Sequence, residues 1–178
     1  MKIVAISGSL RKGSSNTAAL RAAARLAPAG VHVALFEEIA GLPFFNPDLD
    51  GAVVPTAVAA FRAVIGGADG LLISSPEYAR GVAGVMKNAL DWLVASLEFP
   101  GKPVMLINTS PRATHALAAL RLTLETMSAR IVEEACATLP LLGGPSGEDD
   151  IVANEDLAEP LRGAMSRFVS AIEARENP

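Results

Sequence analysis

An α/β chain with a parallel sheet is predicted by three observations. Short apolar runs alternate five times with helix-period patterns, no repeat or low-complexity linker interrupts them, and residues 69–74 form a near-continuous apolar run of the kind covered on both faces. The 178 residues predict one domain, 1–178. With 51% hydrophobic and 19% charged residues, the composition excludes disorder and suggests a sheet buried on both faces or a large subunit interface.

The first strand is read at residues 3–6, Ile-Val-Ala-Ile, followed by a polar loop and a helical pattern. Asn16 is read as the N-cap. Beyond it, Ala19, Ala22, Ala23 and Leu26 share one face that ends before Pro28. The loop therefore meets a helix N-terminus, where free amides and the positive end of the helix dipole join the hydroxyls of Ser9, Ser14, Ser15 and Thr17 and the charges of Arg11 and Lys12. Such a loop suits a phosphate. The alternative is an ordinary Ser/Gly-rich connection whose side chains only cap the helix. The Gly-Lys-Ser/Thr order of a Walker loop is absent, and Gly8 and Gly13 do not supply the three spaced glycines of a dinucleotide fingerprint. What remains is a loop for a single phosphate, as a mononucleotide such as FMN carries.

Residues 31–36 read as a second strand, and 37–55, marked by Pro43 and Pro47, as a long surface loop. Its apolar stretch Leu42-Pro43-Phe44-Phe45 is placed either over a ligand or partner subunit, or tucked into the core. Val58, Phe61 and Ile65 mark a second helix stopped by Gly66-Gly67. After the third strand comes a ten-residue loop, 75–84, and a helix with Met86, Ala89, Leu90, Leu93 and Leu97 on one face. A fourth strand, 103–108, leads through Thr109-Ser110-Pro111-Arg112 to a helix carrying Leu117, Leu120, Leu124 and Met127. A fifth strand is read at 131–137 and a flexible acidic loop at 143–150. The last helix carries Leu157, Leu161, Met165, Phe168 and Ile172, its regular part starting a few residues before Pro160. Right-handed crossovers then give a doubly wound, flavodoxin-like five-stranded sheet of order 2-1-3-4-5, with the loops after strands one, three and four side by side.

Net charge of −4 and a pI near 5.2 favour neither nucleic acid nor an anionic membrane as partner. Met1-Lys2 runs at once into a strand without a signal-peptide layout, so a soluble cytoplasmic protein is expected. Cys136 is read as core filler. His32 and His115 stand far apart, so no metal site is expected.

The loop 75–84 is the most informative stretch: a Pro76-Glu77-Tyr78 turn before a glycine-rich approach offers backbone amides beside one aromatic ring, a setting for a flat ring system such as a flavin. Here the chain resembles the NADPH-dependent FMN reductases, which include bacterial quinone, chromate and azo-dye reductases. The resemblance rests on residues 8–16, Gly-Ser-Leu-Arg-Lys-Gly-Ser-Ser-Asn, and on Pro76-Glu77-Tyr78 with residues 84–92, Gly-Val-Met-Lys-Asn-Ala-Leu-Asp-Trp, and covers nearly the whole length.

The resemblance implies that Ser9, Arg11, Ser14, Ser15, Asn16 and Thr17 hold the FMN phosphate. It implies that Pro76, Glu77, Tyr78, Ala79, Arg80 and Gly81 line the ring, and that Thr109, Ser110 and Pro111 approach it. The chain departs from the family at Ala79 and Arg80, where Asn and often a second aromatic follow the tyrosine, and at Pro111-Arg112-Ala113, where glycines are common. Arg80 and Arg112 are thereby candidates for contact with substrate, either the 2′-phosphate of NADPH or an anionic acceptor; the alternative is a pair of solvated loop arginines.

No residue is assigned an acid or base role. The implied activity is hydride transfer from NADPH or NADH through FMN to a small-molecule electron acceptor, with ping-pong kinetics. An electron carrier without turnover of its own and a flavin-free scaffold are the other readings. Lys87 and Asn88 are read as orienting the Pro-Glu-Tyr loop, Asp91 and Trp92 as structural, and Arg121 with Glu125 as an i, i+4 ion pair. The stripe at Leu117, Leu120, Leu124 and Met127 predicts a homodimer or homotetramer.

Overall fold

The structure is a computed structural model that describes residues 1–141 and 147–176. Its elements are β1 (Lys2–Ser7), α1 (Ser15–Arg25), β2 (His32–Leu35), α2 (Thr56–Gly66), β3 (Gly70–Ser74), a hairpin of β4 (Glu77–Tyr78) and β5 (Gly81–Val82), α3 (Gly84–Asp91), β6 (Pro103–Asn108), α4 (Thr114–Thr126), β7 (Arg130–Ile131), β8 (Ala137–Thr138), α5 (Glu148–Ala153) and α6 (Glu155–Glu176). Strands pair in parallel in the order β2-β1-β3-β6-β7, with β8 also on β6. Counting β7 and β8 as one interrupted strand, this is the flavodoxin-like order 2-1-3-4-5.

Side chains alternate across the sheet, and each set meets its own helices. Ile3, Ala5, Leu72, Met105 and Ile107 pack with α1, α5 and α6, whereas Val4, Ile6, Leu71, Ile73, Val104 and Leu106 pack with α2, α3 and α4. That double cover is why the interior positions of these strands, 3–6, 71–73 and 104–107, are all apolar. Each fully buried large side chain, Phe61, Phe168 and Trp92 among them, contributes roughly 1.5–3 kcal/mol. At Gly70 an added Cβ would lie 2.7 Å from Ile172 Cδ1, so α6 packs directly on the start of β3.

The helix faces read from the sequence are buried, or partly buried at Leu26 and Leu117, except that α3 stops at Asp91, so Leu97 falls beyond it and stands 94% exposed. Of the stripe on α4, Leu120 and Leu124, with Met127 at the C-cap, are buried in the chain's own core, and Leu117 is partly buried against it. α6 starts at Glu155 and tolerates Pro160 in its second turn.

The fifth strand is broken. A single 3-10 turn at Glu133–Ala135 separates β7 from β8, so that this edge advances from Ile131 to Ala137 while β6 advances only from Val104 to Ile107. The Leu106 amide, facing the break, donates to Cys136 Sγ at 3.4 Å. Of the acidic loop expected at 143–150, residues 143–146 lie outside the described residues, and Glu148 to Asp150 form the first turn of α5, anchored by a 2.5 Å pair between Arg25 and Asp149. Arg121 pairs with Glu133 across the edge instead of with Glu125.

The loop 37–55 divides between the two placements read for it. Leu42 is buried and Phe45 meets the Trp92 ring edge-on at 5.0 Å, while Phe44 is 91% exposed. Asn88 fixes this loop rather than the Pro-Glu-Tyr loop, its Oδ1 accepting from the Phe45 amide at 2.8 Å and its Nδ2 donating to the Pro43 carbonyl at 3.0 Å. Trp92 Nε1 donates to the same carbonyl at 2.7 Å, and Lys87 pairs with Asp91. Arg62 closes the arrangement by donating to the Trp92 carbonyl and pairing with Asp50 at 2.9 Å, with side chains only 14% and 9% exposed. Among the described residues no helix is long and apolar enough to cross a membrane.

Candidate functional site

Strands β1, β3 and β6 are neighbours and parallel, so the loops at their carboxyl ends meet. They border a cavity of about 370 Å³. The first loop contributes Ser9, Arg11, Ser14, Ser15 and Asn16, the second Ser75, Pro76, Glu77 and Tyr78, and the third Asn108, Thr109, Ser110, Arg112 and Ala113, with Leu141 closing one side.

The first loop turns tightly because β1 and β3 converge. The Gly8 amide donates to the Ser74 carbonyl at 2.8 Å, and a Cβ at position 8 would stand 2.8 Å from that of Ser75. Beyond it the Ser9 amide donates to Ser7 Oγ at 3.3 Å, the Arg11 amide to Ser9 Oγ at 3.4 Å, and Gly13 takes a positive φ of 69°. The helix cap is Ser14, not Asn16: Ser14 Oγ accepts from the Thr17 amide at 3.4 Å. The amides of Ser15 and Asn16, in the first turn of α1, have no intrahelical acceptor. Thr17 does not line the cavity. Its Oγ1 lies 2.8 Å from Ser7 Oγ and braces the loop from behind.

Asn16, only 7% exposed, joins the three loops. Its Oδ1 accepts from Ser74 Oγ at 2.9 Å and from Thr109 Oγ1 at 3.2 Å, and Ser74 Oγ also lies 2.7 Å from the Ile107 carbonyl. A misplacement of any of the three strand ends would break this network.

The second loop is a two-residue hairpin with Ala79 at φ 49° and Arg80 at φ 61°, the type I′ geometry normally met by Asn-Gly. Tyr78, 57% exposed, lines the cavity at its rim. Glu77 Oε2 accepts from the Ala116 amide at 2.9 Å, supplying from another loop the cap that Ala113 cannot give α4. Ala79, Arg80 and Gly81 sit at the hairpin tip outside the cavity lining, as does Pro111 in the third loop. Arg112 therefore lines the cavity without Arg80.

Ser75, Asn108, Ala113 and Leu141 were not among the site residues read from the sequence. Asn108 carried a signal: its Oδ1 accepts from the Ser110 amide at 3.1 Å, an Asx turn readable from an Asn at the end of a strand. The charged side chains on the cavity wall are Arg11, Glu77 and Arg112, and only Glu77 has a partner among the described residues. The wall is therefore positive, with two helix N-termini directed at it and one carboxylate already engaged.

The profile of the family described as NADPH-dependent FMN reductase matches residues 1–140. A Pseudomonas aeruginosa protein named NAD(P)H-dependent FMN reductase is 45% identical over 112 residues, covering 62% of this chain and 60% of that protein. The chain thus spans about three fifths of the length of the first relatives it matches. A quinone reductase of Pseudomonas putida is 31% identical over 177 residues, 94% of this chain and 92% of that one. Among solved structures, a flavoenzyme NAD(P)H:(acceptor) oxidoreductase from Paracoccus denitrificans superimposes with a TM-score of 0.82 at 30% identity, covering 97% of both chains.

Proposed function

The chain belongs to the NADPH-dependent FMN reductase family, and we propose that it is an FMN-dependent NAD(P)H oxidoreductase acting on a small electron acceptor. When bound, FMN supplies a two-electron centre that receives hydride from NADPH or NADH and delivers it to the acceptor. The donor set of the cavity fits that cofactor, and this is the observation that carries the reading. Unpartnered amides of Ser15 and Asn16, the hydroxyls of Ser9 and Ser14 and the unpaired Arg11 gather at one end, with no carboxylate among them, while an exposed tyrosine and a backbone hairpin stand at the other.

In this reading Ser9, Arg11, Ser14, Ser15 and Asn16 hold the phosphate, and Thr17 positions Ser7 and the loop. Pro76 and Tyr78 flank the ring, the backbone of Ala79, Arg80 and Gly81 shapes the hairpin beside it, and Glu77 fixes that hairpin to α4. Thr109, Ser110 and Pro111 border the ring from the third loop. Arg112 faces the substrate space, and Arg80 on the hairpin tip reaches it only from outside. A single cavity serves donor and acceptor in turn, and no acid or base is required of the chain.

The acceptor class is a quinone, a flavin, an azo compound or chromate, the first two supported by the names of the relatives. We infer a homodimer or homotetramer, supported by exposed Phe44, Val53, Val94, Leu97 and, on the outer face of α4, Leu122. We also infer a cytoplasmic setting, where nicotinamide donors are available, without nucleic acid or membrane partners. Steady-state rates with NADPH and a benzoquinone test the function: parallel double-reciprocal lines are expected. FMN bound tightly but NADPH oxidised no faster than by free FMN would indicate an electron carrier instead.

A further inference from the structure

We propose that the Asn16 carboxamide stands with its nitrogen toward Ser74 and Thr109 and its oxygen toward the cavity, where, with the Thr109 hydroxyl, it recognises one hydroxyl group of the ligand. The inference rests on FMN occupying this cavity and names the part of FMN that Asn16 reads, the polyol chain between phosphate and ring.

Proton counting carries the first half. Three contacts meet in the buried network: Ser74 Oγ to the Ile107 carbonyl at 2.7 Å, Ser74 Oγ to the Asn16 carboxamide at 2.9 Å, and Thr109 Oγ1 to the same carboxamide atom at 3.2 Å. The carbonyl can only accept, and each hydroxyl has one proton. With the Asn16 oxygen in the network, the Ser74 proton serves one of its two contacts and leaves two oxygens facing each other with no proton between them. The oxygen and nitrogen of a carboxamide are alike in shape, so the surrounding groups decide which is which. With the nitrogen there, its two protons go to Ser74 and Thr109 and the Ser74 proton goes to Ile107, so every contact has one. The lengths agree, since 2.7 Å is usual for O–H···O and 2.9 and 3.2 Å fall in the N–H···O range.

Burial carries the second half. Asn16 and Thr109 are each 7% exposed, and both line the cavity. The other carboxamide atom of Asn16 has no partner, yet among the described residues the one fully enclosed side-chain polar atom without a partner is Ser96 Oγ. That carboxamide atom therefore touches open space, and the space beside Asn16 is the cavity. Turned this way it offers an acceptor, while Thr109, whose oxygen receives from Asn16, keeps its own proton to donate. An acceptor beside a donor complements a hydroxyl; an ionised phosphate oxygen can only accept. Asn16 thus serves the phosphate with its main-chain amide and the polyol chain with its side chain. The position suits it, because Asn16 joins the loop at the phosphate to the loop beside the ring.

The test combines titration of FMN-free protein by FMN and by its 2′-, 3′- and 4′-deoxyribityl analogues with hydrogen exchange of the Asn16 side-chain amide, followed by nuclear magnetic resonance. In FMN-free wild type both Asn16 amide protons are expected to exchange at least about tenfold more slowly than those of exposed asparagines. One analogue is expected to bind about tenfold more weakly than FMN and the others within about twofold of it. In Asn16→Ala that difference should vanish. Asn16 protons exchanging as fast as exposed ones would put the nitrogen in the cavity. Three analogues bound as well as FMN would show that no hydroxyl is recognised, and an undiminished difference in Asn16→Ala would assign the recognition to another group. Each of these overturns the proposal, and the exchange and wild-type titrations decide it even where Asn16→Ala fails to fold. Failure of wild-type protein to bind FMN at all would instead overturn the function on which it rests.

Discussion

The Glu77 carboxylate accepts a 2.9 Å hydrogen bond from the amide of Ala116, 39 residues away, and so ties the hairpin at the cavity to the first turn of α4. The bond combines a helix cap with a charge facing the positive end of the helix dipole. Glu77→Ala is expected to cost about 1–2 kcal/mol in urea unfolding, and Glu77→Gln, which keeps an acceptor but not the charge, less than half of that. Equal losses would show that the charge contributes nothing.

Neither hairpin tip residue is glycine, although both occupy the left-handed region. Left-handed backbone costs a residue with a Cβ roughly 1–2 kcal/mol, and Asn less than Ala. The double replacement Ala79→Asn, Arg80→Gly is expected to raise the unfolding free energy by about 1 kcal/mol. Unchanged or lower stability would mean that the present side chains make compensating contacts.

Such features separate what the sequence discloses from what it hides. The loop between β1 and α1, most of the helix faces and the strand order were legible because each follows from the period or chemistry of one continuous segment. Partner choice between segments was not. Arg121 has Glu125 within reach on its own helix, yet the break at Glu133–Ala135 brings a carboxylate to it from the sheet edge. Asn88 and Trp92 read as helix residues near the second loop, but they hold the loop at Pro43 to Phe45, a pairing that only the packing of α3 decides. The hairpin was hidden because Ala-Arg carries none of the Asn-Gly signal that its geometry usually requires.

The Arg62–Asp50 pair is mostly shielded from water, so removing one partner leaves a charge without its counterion. Arg62→Ala is expected to destabilise the fold by roughly 3–5 kcal/mol. A double-mutant cycle with Asp50→Ala should return a coupling above about 1.5 kcal/mol, far more than exposed pairs give, and a coupling near zero would contradict the burial.

Burial pushes the Cys136 thiol above its usual value, against the opposing hydrogen bond from the Leu106 amide. The folded chain therefore keeps this proton where the unfolded chain loses it, which makes stability fall as pH rises above about 9. Cys136→Ala is expected to flatten that alkaline decline, measured by urea midpoints between about pH 8 and pH 10. An identical slope in both proteins would assign the decline to other groups.

The central claim, a flavin mononucleotide with its phosphate at the N-terminus of α1, is tested most directly by fluorescence titration of apoprotein with FMN and with riboflavin. Wild-type protein is expected to prefer FMN. Arg11→Ala should weaken FMN by about 1.5–3 kcal/mol, the worth of a hydrogen bond to a charged group, while leaving riboflavin nearly unchanged. Equal affinity for the two ligands in the wild type, or equal losses in the variant, would contradict it.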